Sequence, residues 1–125
     1  MKKKRILLVD DENDIVFAVK MELEANGYEV ITATNGQDGL DTARLEMPDL
    51  IVLDLMLPKI DGYRVCRILK FDEKYKKIPI IIFTARSQKN DEAVGKEVGA
   101  DAFLVKPFES KVLLDKIAEL IKEKK

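Results

Sequence analysis

Five short apolar runs punctuate this chain, at residues 6–9, 30–33, 50–53, 80–83 and 102–105. Most are unbroken stretches of Ile, Val and Leu rather than alternations of apolar and polar residues. A strand with one face in water has to alternate, whereas a strand covered on both faces does not. The runs therefore predict a parallel sheet buried between two layers.

The stretches between the runs supply those layers. Ile15, Val19 and Leu23 recur every four residues, and Gly27 follows as a helix stop. Leu40, Ala43 and Met47 form a second stripe that ends before Pro48. A third helix is predicted from Tyr63 to Phe71, with Val65, Ile68 and Leu69 facing inward. A fourth, carrying Ala93, Val94 and Val98, is weakened by Gly95, because Gly in a helix costs about 1 kcal/mol against Ala. The last carries Leu113, Leu114, Ile117, Leu120 and Ile121 and closes on the cations of residues 122–125, which suit a helix C-terminus. Strand then helix, five times over, predicts a doubly wound α/β sandwich, (βα)5, with right-handed crossovers. Residues 1–125 read as one domain, without linker or internal repeat. Residues 72–78, ahead of Pro79, read as a solvated loop.

Composition removes several functions. With no histidine there is no Ser-His-Asp triad, no Cys-His pair and no imidazole to carry a phosphoryl group or bind zinc. The single cysteine, Cys66, forms neither an internal disulfide nor a Cys-x-x-Cys site, and reads as a small buried apolar residue. Lys+Arg 22 against Asp+Glu 23 leaves a net charge of −1, which argues against nucleic-acid binding by bulk electrostatics. The basic start at Lys2 to Arg5 leads into only four apolar residues before Asp10, too few for a signal peptide. No stretch approaches the ~20 apolar residues of a membrane helix. A cytoplasmic protein without membrane insertion is expected.

In a doubly wound sheet, ligands bind beyond the carboxyl ends of the strands. The first strand ends in Asp10 and Asp11, the third in Asp54 and the fourth in Thr84, and Lys106 follows the fifth. Taken singly, each has an ordinary reading: a helix cap or turn residue for the Asp and Thr, a surface cation for the Lys. Together they bring three carboxylates, a hydroxyl and an ammonium to one edge. Crowded carboxylates repel unless a cation lies among them, and Mg²⁺ takes such oxygen ligands. A carboxylate can also accept a phosphoryl group, a reaction that needs chiefly positioning and charge neutralisation.

At these residues the chain resembles the receiver domain of bacterial two-component response regulators, the chemotaxis-regulator-like (flavodoxin-like) fold. The resemblance runs through Ile6-Leu7-Leu8-Val9-Asp10-Asp11-Glu12, Pro48-Asp49 through Leu53-Asp54-Leu55-Met56-Leu57-Pro58, Asp61-Gly62-Tyr63, Phe83-Thr84-Ala85 and Gly99-Ala100-Asp101 through Val105-Lys106-Pro107-Phe108. It implies a five-stranded sheet in the order 2-1-3-4-5. It implies Asp54 as phosphoryl acceptor, with Mg²⁺ held by Asp11, Asp54 and the Met56 carbonyl, and Asp10 assisting. Thr84 is then the switch hydroxyl, Lys106 the partner of a phosphoryl oxygen and Phe103 the aromatic switch, though Phe103 also reads as core. The Lys106-Pro107 bond is cis in many relatives. Met56 and Arg86 occupy positions that tune phosphoryl lifetime, and their size and charge suggest slow loss.

The implied partners are a sensor histidine kinase or histidine phosphotransfer protein and a downstream output protein. Output is read from the face built by the fourth helix, the fifth strand and the fifth helix. A monomer or a phosphorylation-dependent dimer is expected, catalysing only its own phosphorylation and dephosphorylation. The chain is expected to be a complete regulator, with the receiver part of a longer transcriptional regulator as the alternative. An aspartate-nucleophile phosphatase would need a second Asp two residues after Asp54, where Met56 stands. A flavodoxin-type carrier would need a Gly-rich phosphate loop where the acidic residues 10–14 stand. A P-loop is missing, since Gly95-Lys96 runs into Glu97.

Overall fold

The computed structural model describes residues 3–84, 97–106 and 109–123, without the side chains of Thr84 and Glu123. In chain order they form β1 (Arg5–Val9), α1 (Asn13–Ala25), β2 (Glu29–Ala33), α2 (Gly36–Glu46), β3 (Leu50–Asp54), α3 (Gly62–Lys70), β4 (Ile80–Thr84), β5 (Ala102–Val105) and α4 (Ser110–Glu123). The stretch around Ala93–Gly95 lies outside the described residues, as do Arg86 and Pro107, so α4 is the helix expected last. The sheet order is β2-β1-β3-β4-β5, with every pair parallel. No helix among the described residues is long and apolar enough to cross a membrane.

Side chains alternate across the sheet and divide the core in two. Leu7, Val9, Ile51, Leu53, Ile80 and Ile82 face α2 and α3, where Leu40, Ala43, Val65, Cys66 and Leu69 meet them. Ile6, Leu8, Leu50, Val52, Ile81 and Phe83 face α1 and α4, where Leu23, Leu113 and Ile117 meet them. β3 is buried at all five positions, as an unbroken apolar run requires, while the edge strands β2 and β5 are only partly covered. Each such side chain contributes about 1.5–3 kcal/mol on burial.

Three helix details differ from the sequence reading. On α3 the inward stripe is Gly62, Val65, Cys66 and Leu69, spaced three, one and three, and Ile68 is 36% exposed. Cys66 is buried as expected, and burial pushes its thiol up to about 12. Met47 is not a core residue: it caps α2 at φ 48 and stands exposed, because Pro48 forbids another helical turn. Residues 72–78 are more ordered than a solvated loop. Tyr75 and Ile78 are buried in the α2/α3 layer, and Lys76 N–H donates to Asp72 O at 2.9 Å. The Gly27 stop is as expected. Gly27 (φ 91) N–H donates to Glu24 O and Tyr28 N–H to Leu23 O, the paired bonds of a Schellman ending.

The amino-terminal edge of the sheet is laced with opposite charges. Arg5 Nε meets Glu29 Oε2 at 3.1 Å, its Nη1 donates to Glu46 O at 2.9 Å, and its guanidinium also pairs with the Glu46 carboxylate. Asp49 accepts from Arg5 N–H at 2.8 Å. Lys70 Nζ meets Asp101 Oδ2 at 2.7 Å and donates to the carbonyls of Lys76 and Ile78. Asp101 Oδ2 accepts from Ile80 N–H at 2.8 Å as well.

Candidate functional site

The strand alternation that splits the core also builds the site. Ile6, Leu8 and then Asp10 lie on the α1/α4 side of the sheet, as do Leu50, Val52 and then Asp54, and Ala102, Leu104 and then Lys106. Three strands thus deliver two carboxylates and an ammonium to one side of the carboxyl edge, at the crossover where β1 and β3 are neighbours. Asp10 is fully buried and Asp54 is 3% exposed, the two buried acids among the described residues.

Lys106 Nζ lies 3.1 Å from Asp10 Oδ2, 3.7 Å from Asp54 Oδ2 and 3.8 Å from Glu12 Oε1. It also stands 4.5 Å from the centre of the Phe83 ring, a cation–π contact that fixes its stem. Asp10 Oδ1 accepts from Glu12 N–H at 2.9 Å, and Asp54 Oδ1 accepts from Met56 N–H at 3.3 Å. Burial pushes the Asp54 carboxyl up to about 6, and the Asp10 charge pushes the same way. Lys106 and the Met56 N–H pull it down. A carboxylate held there is ionised at neutral pH and is a better nucleophile than an ordinary one.

The acids that converge are Asp10, Glu12 and Asp54, whose ligating oxygens all lie within 4.8 Å of one another. Asp11 is exposed and stands outside that group. The family resemblance implies Asp11 as a metal ligand; Glu12, which it does not name, lies within the converging group. The chain bends at Asp11, and the backbone at Glu12 is extended, at φ −92 and ψ 108. Asp11 and Glu12 are both exposed, and of the two it is the Glu12 carboxylate that reaches the cluster. Three hard carboxylate oxygens at this spacing fit a divalent cation such as Mg²⁺.

Thr84 closes β4 opposite Val105. Phe103 is partly buried against the α2/α3 layer. Met56 is 57% exposed.

The family model for "Response regulator receiver domain" matches residues 6–118. Among curated proteins, the alkaline phosphatase synthesis transcriptional regulatory protein PhoP of Bacillus subtilis is 48% identical over 84% of this chain and 43% of its own length. The probable transcriptional regulator ycf27 of Cyanophora paradoxa is 46% identical over 96% of this chain and 49% of its own length. The chain spans about half the length of these curated relatives. Among solved structures, a CheY-like receiver domain protein from Methanospirillum hungatei superposes with a TM-score of 0.92 at 31% identity, covering 98% of this chain and 97% of its own. The chemotaxis response regulator CheY4 of Vibrio cholerae superposes with a TM-score of 0.88 at 32% identity, covering 95% and 99%.

Proposed function

The chain belongs to the response regulator receiver domain family, whose members are phosphorylated on aspartate, and from this premise we propose that Asp54 is the acceptor in a switch driven by a sensor histidine kinase. The observation that supports it most is Asp54 itself, a buried carboxylate at the end of the central strand with Lys106 3.7 Å away.

An Asp54 oxygen attacks the phosphorus of a phosphohistidine in line. The P–N bond breaks, its electron pair stays on the imidazole nitrogen, and that nitrogen is left to take up a proton. With no histidine of its own, the chain stands at the receiving end of such a relay. Asp11, Asp54 and the Met56 carbonyl would hold Mg²⁺ with Asp10 assisting, and the Glu12 carboxylate lies within reach of the same cluster. The metal supplies neutralisation of charge between the acids and the incoming phosphoryl oxygens. Lys106 moves from Asp10 towards a phosphoryl oxygen, and the Met56 N–H orients Asp54. Thr84 and Phe103 carry the change to the face that includes β5 and α4. The chain catalyses its own phosphorylation and dephosphorylation only.

Two outputs follow, docking to a separate protein or control of a further domain of a longer regulator. The half-length match to proteins named transcriptional regulators favours the second. Mass spectrometry after incubation with acetyl phosphate and Mg²⁺ should show a gain of one phosphoryl group, absent in Asp54→Asn. Labelling of that variant at the native rate would overturn the assignment.

A further inference from the structure

The first turn of α2 carries two glycines, one against the residue before Asp10 and one against the segment that leaves Asp54. A Cβ on Gly36 would fall 1.7 Å from the Ile60 carbonyl oxygen, a backbone atom unable to swing aside. A Cβ on Gly39 would fall 2.9 Å from a γ-methyl of Val9. Both separations are far inside van der Waals contact. Val9 immediately precedes Asp10, and Ile60 belongs to the segment 55–61 that leaves Asp54.

That segment is also held by hydrogen bonds. Gly36 N–H, one of the donors that a first helical turn leaves unused, donates to Pro58 O at 3.1 Å. Ile60 N–H donates to the same oxygen at 2.9 Å across Lys59, whose φ is 69. A three-residue turn with a side chain at positive φ is strained, and persists only where its surroundings hold it. At the far end, Gly62 N–H donates to Leu55 O at 3.0 Å, and a Cβ there would fall 2.3 Å from Asp54 O. Between these two anchors lies Met56, the backbone donor to Asp54.

We infer that α2 is a brace that sets the gap between the strand end bearing Asp10 and the loop that orients Asp54, with Gly36 as the positioning residue. The inference rests on the reading of Asp54 as acceptor. Gly36 touches no reacting atom and acts through the Pro58–Ile60 turn.

The test compares Gly36→Ala with Gly27→Ala. Gly27 sits at φ +91 with nothing within 4 Å of an added Cβ, so its substitution strains the backbone without pushing a neighbour. Each folded variant is measured for thermal midpoint, for the Mg²⁺ concentration giving half the metal-induced rise in that midpoint, and for labelling rate with acetyl phosphate. Gly27→Ala should lower the midpoint and leave the other two readings native. Gly36→Ala should raise the half-effect Mg²⁺ concentration about fivefold and slow labelling about tenfold. Native values for both readings in Gly36→Ala overturn the brace. If Gly36→Ala does not fold, Gly39→Ala replaces it, with about threefold changes expected and native values again overturning the inference. A native chain that takes no label, or an Asp54→Asn variant labelled at the native rate, sinks the acceptor reading instead, and the Mg²⁺ reading still decides the brace.

Discussion

The two edges of the sheet handle charge in opposite ways. At the amino-terminal edge, Arg5 and Lys70 each sit among carboxylates and carbonyl oxygens that answer their charge. At the carboxy-terminal edge, Asp10, Glu12 and Asp54 share one lysine, and the Asp54 carboxyl is pushed up towards neutrality. One sheet thus carries an edge whose charges add to stability and an edge whose charges subtract from it. The second edge is held together by the fold rather than by its own contacts, which is what a site for a cation and a phosphoryl group requires.

Substitutions should therefore act with opposite signs at the two edges. The largest effect is expected at Lys70, whose side chain is 9% exposed. Lys70→Ala orphans Asp101 and two carbonyls and should cost about 3 kcal/mol in urea unfolding. A loss below about 1 kcal/mol would show that this edge is not built on its pairs. Next, Asp54→Asn should raise stability at neutral pH by about 2 kcal/mol. The sign follows from the raised carboxyl. Between its ordinary 3.8 and about 6, the folded chain keeps a proton that the unfolded chain has released. Native stability should therefore fall as pH rises through that window, and the gain from Asp54→Asn should vanish below about pH 4. Loss of stability on that substitution at pH 7 would show that the acidic edge does not strain the fold.

Mg²⁺ at ten times its dissociation constant should stabilise the native chain by about 1.4 kcal/mol, an effect removed by EDTA and largely absent from Asp54→Asn. Equal stabilisation of Lys70→Ala and the native chain would place the effect at the acidic edge. Smallest, Arg5→Ala should cost about 1 kcal/mol, because its side chain is one-third exposed and water takes over part of the pairing.

The sequence made the layers legible because β1, β3 and β4 are buried on both faces, and such strands cannot hide their composition. Sheet order came from the family resemblance, since nothing in a strand's own residues says which neighbour it takes. The site residues Asp10, Asp54 and Lys106 were legible as strand ends, and the structure brings them together. What sequence reading missed was rotational. Ile68 and Cys66 are two residues apart on one helix, and hydrophobicity alone ranks Ile68 as the inward one. Packing settles it otherwise, because the small thiol fits beside Val98, its Sγ 3.6 Å from that carbonyl oxygen. Glu12 was not named because its approach to Asp10 and Asp54 comes from the turn after β1 and not from its residue type. The Gly36 contact was invisible because its neighbour, Ile60, is 24 residues away and meets it only after both crossovers have formed.

Cys66 is the one thiol in 125 residues, fully buried and held protonated by its surroundings. A reagent that attacks thiolates finds no target until α3 lifts from the sheet. The rate of its modification in native buffer is therefore a clock for that opening event, and phosphorylation, Mg²⁺ or a docked partner can each be timed against it without introducing a single label.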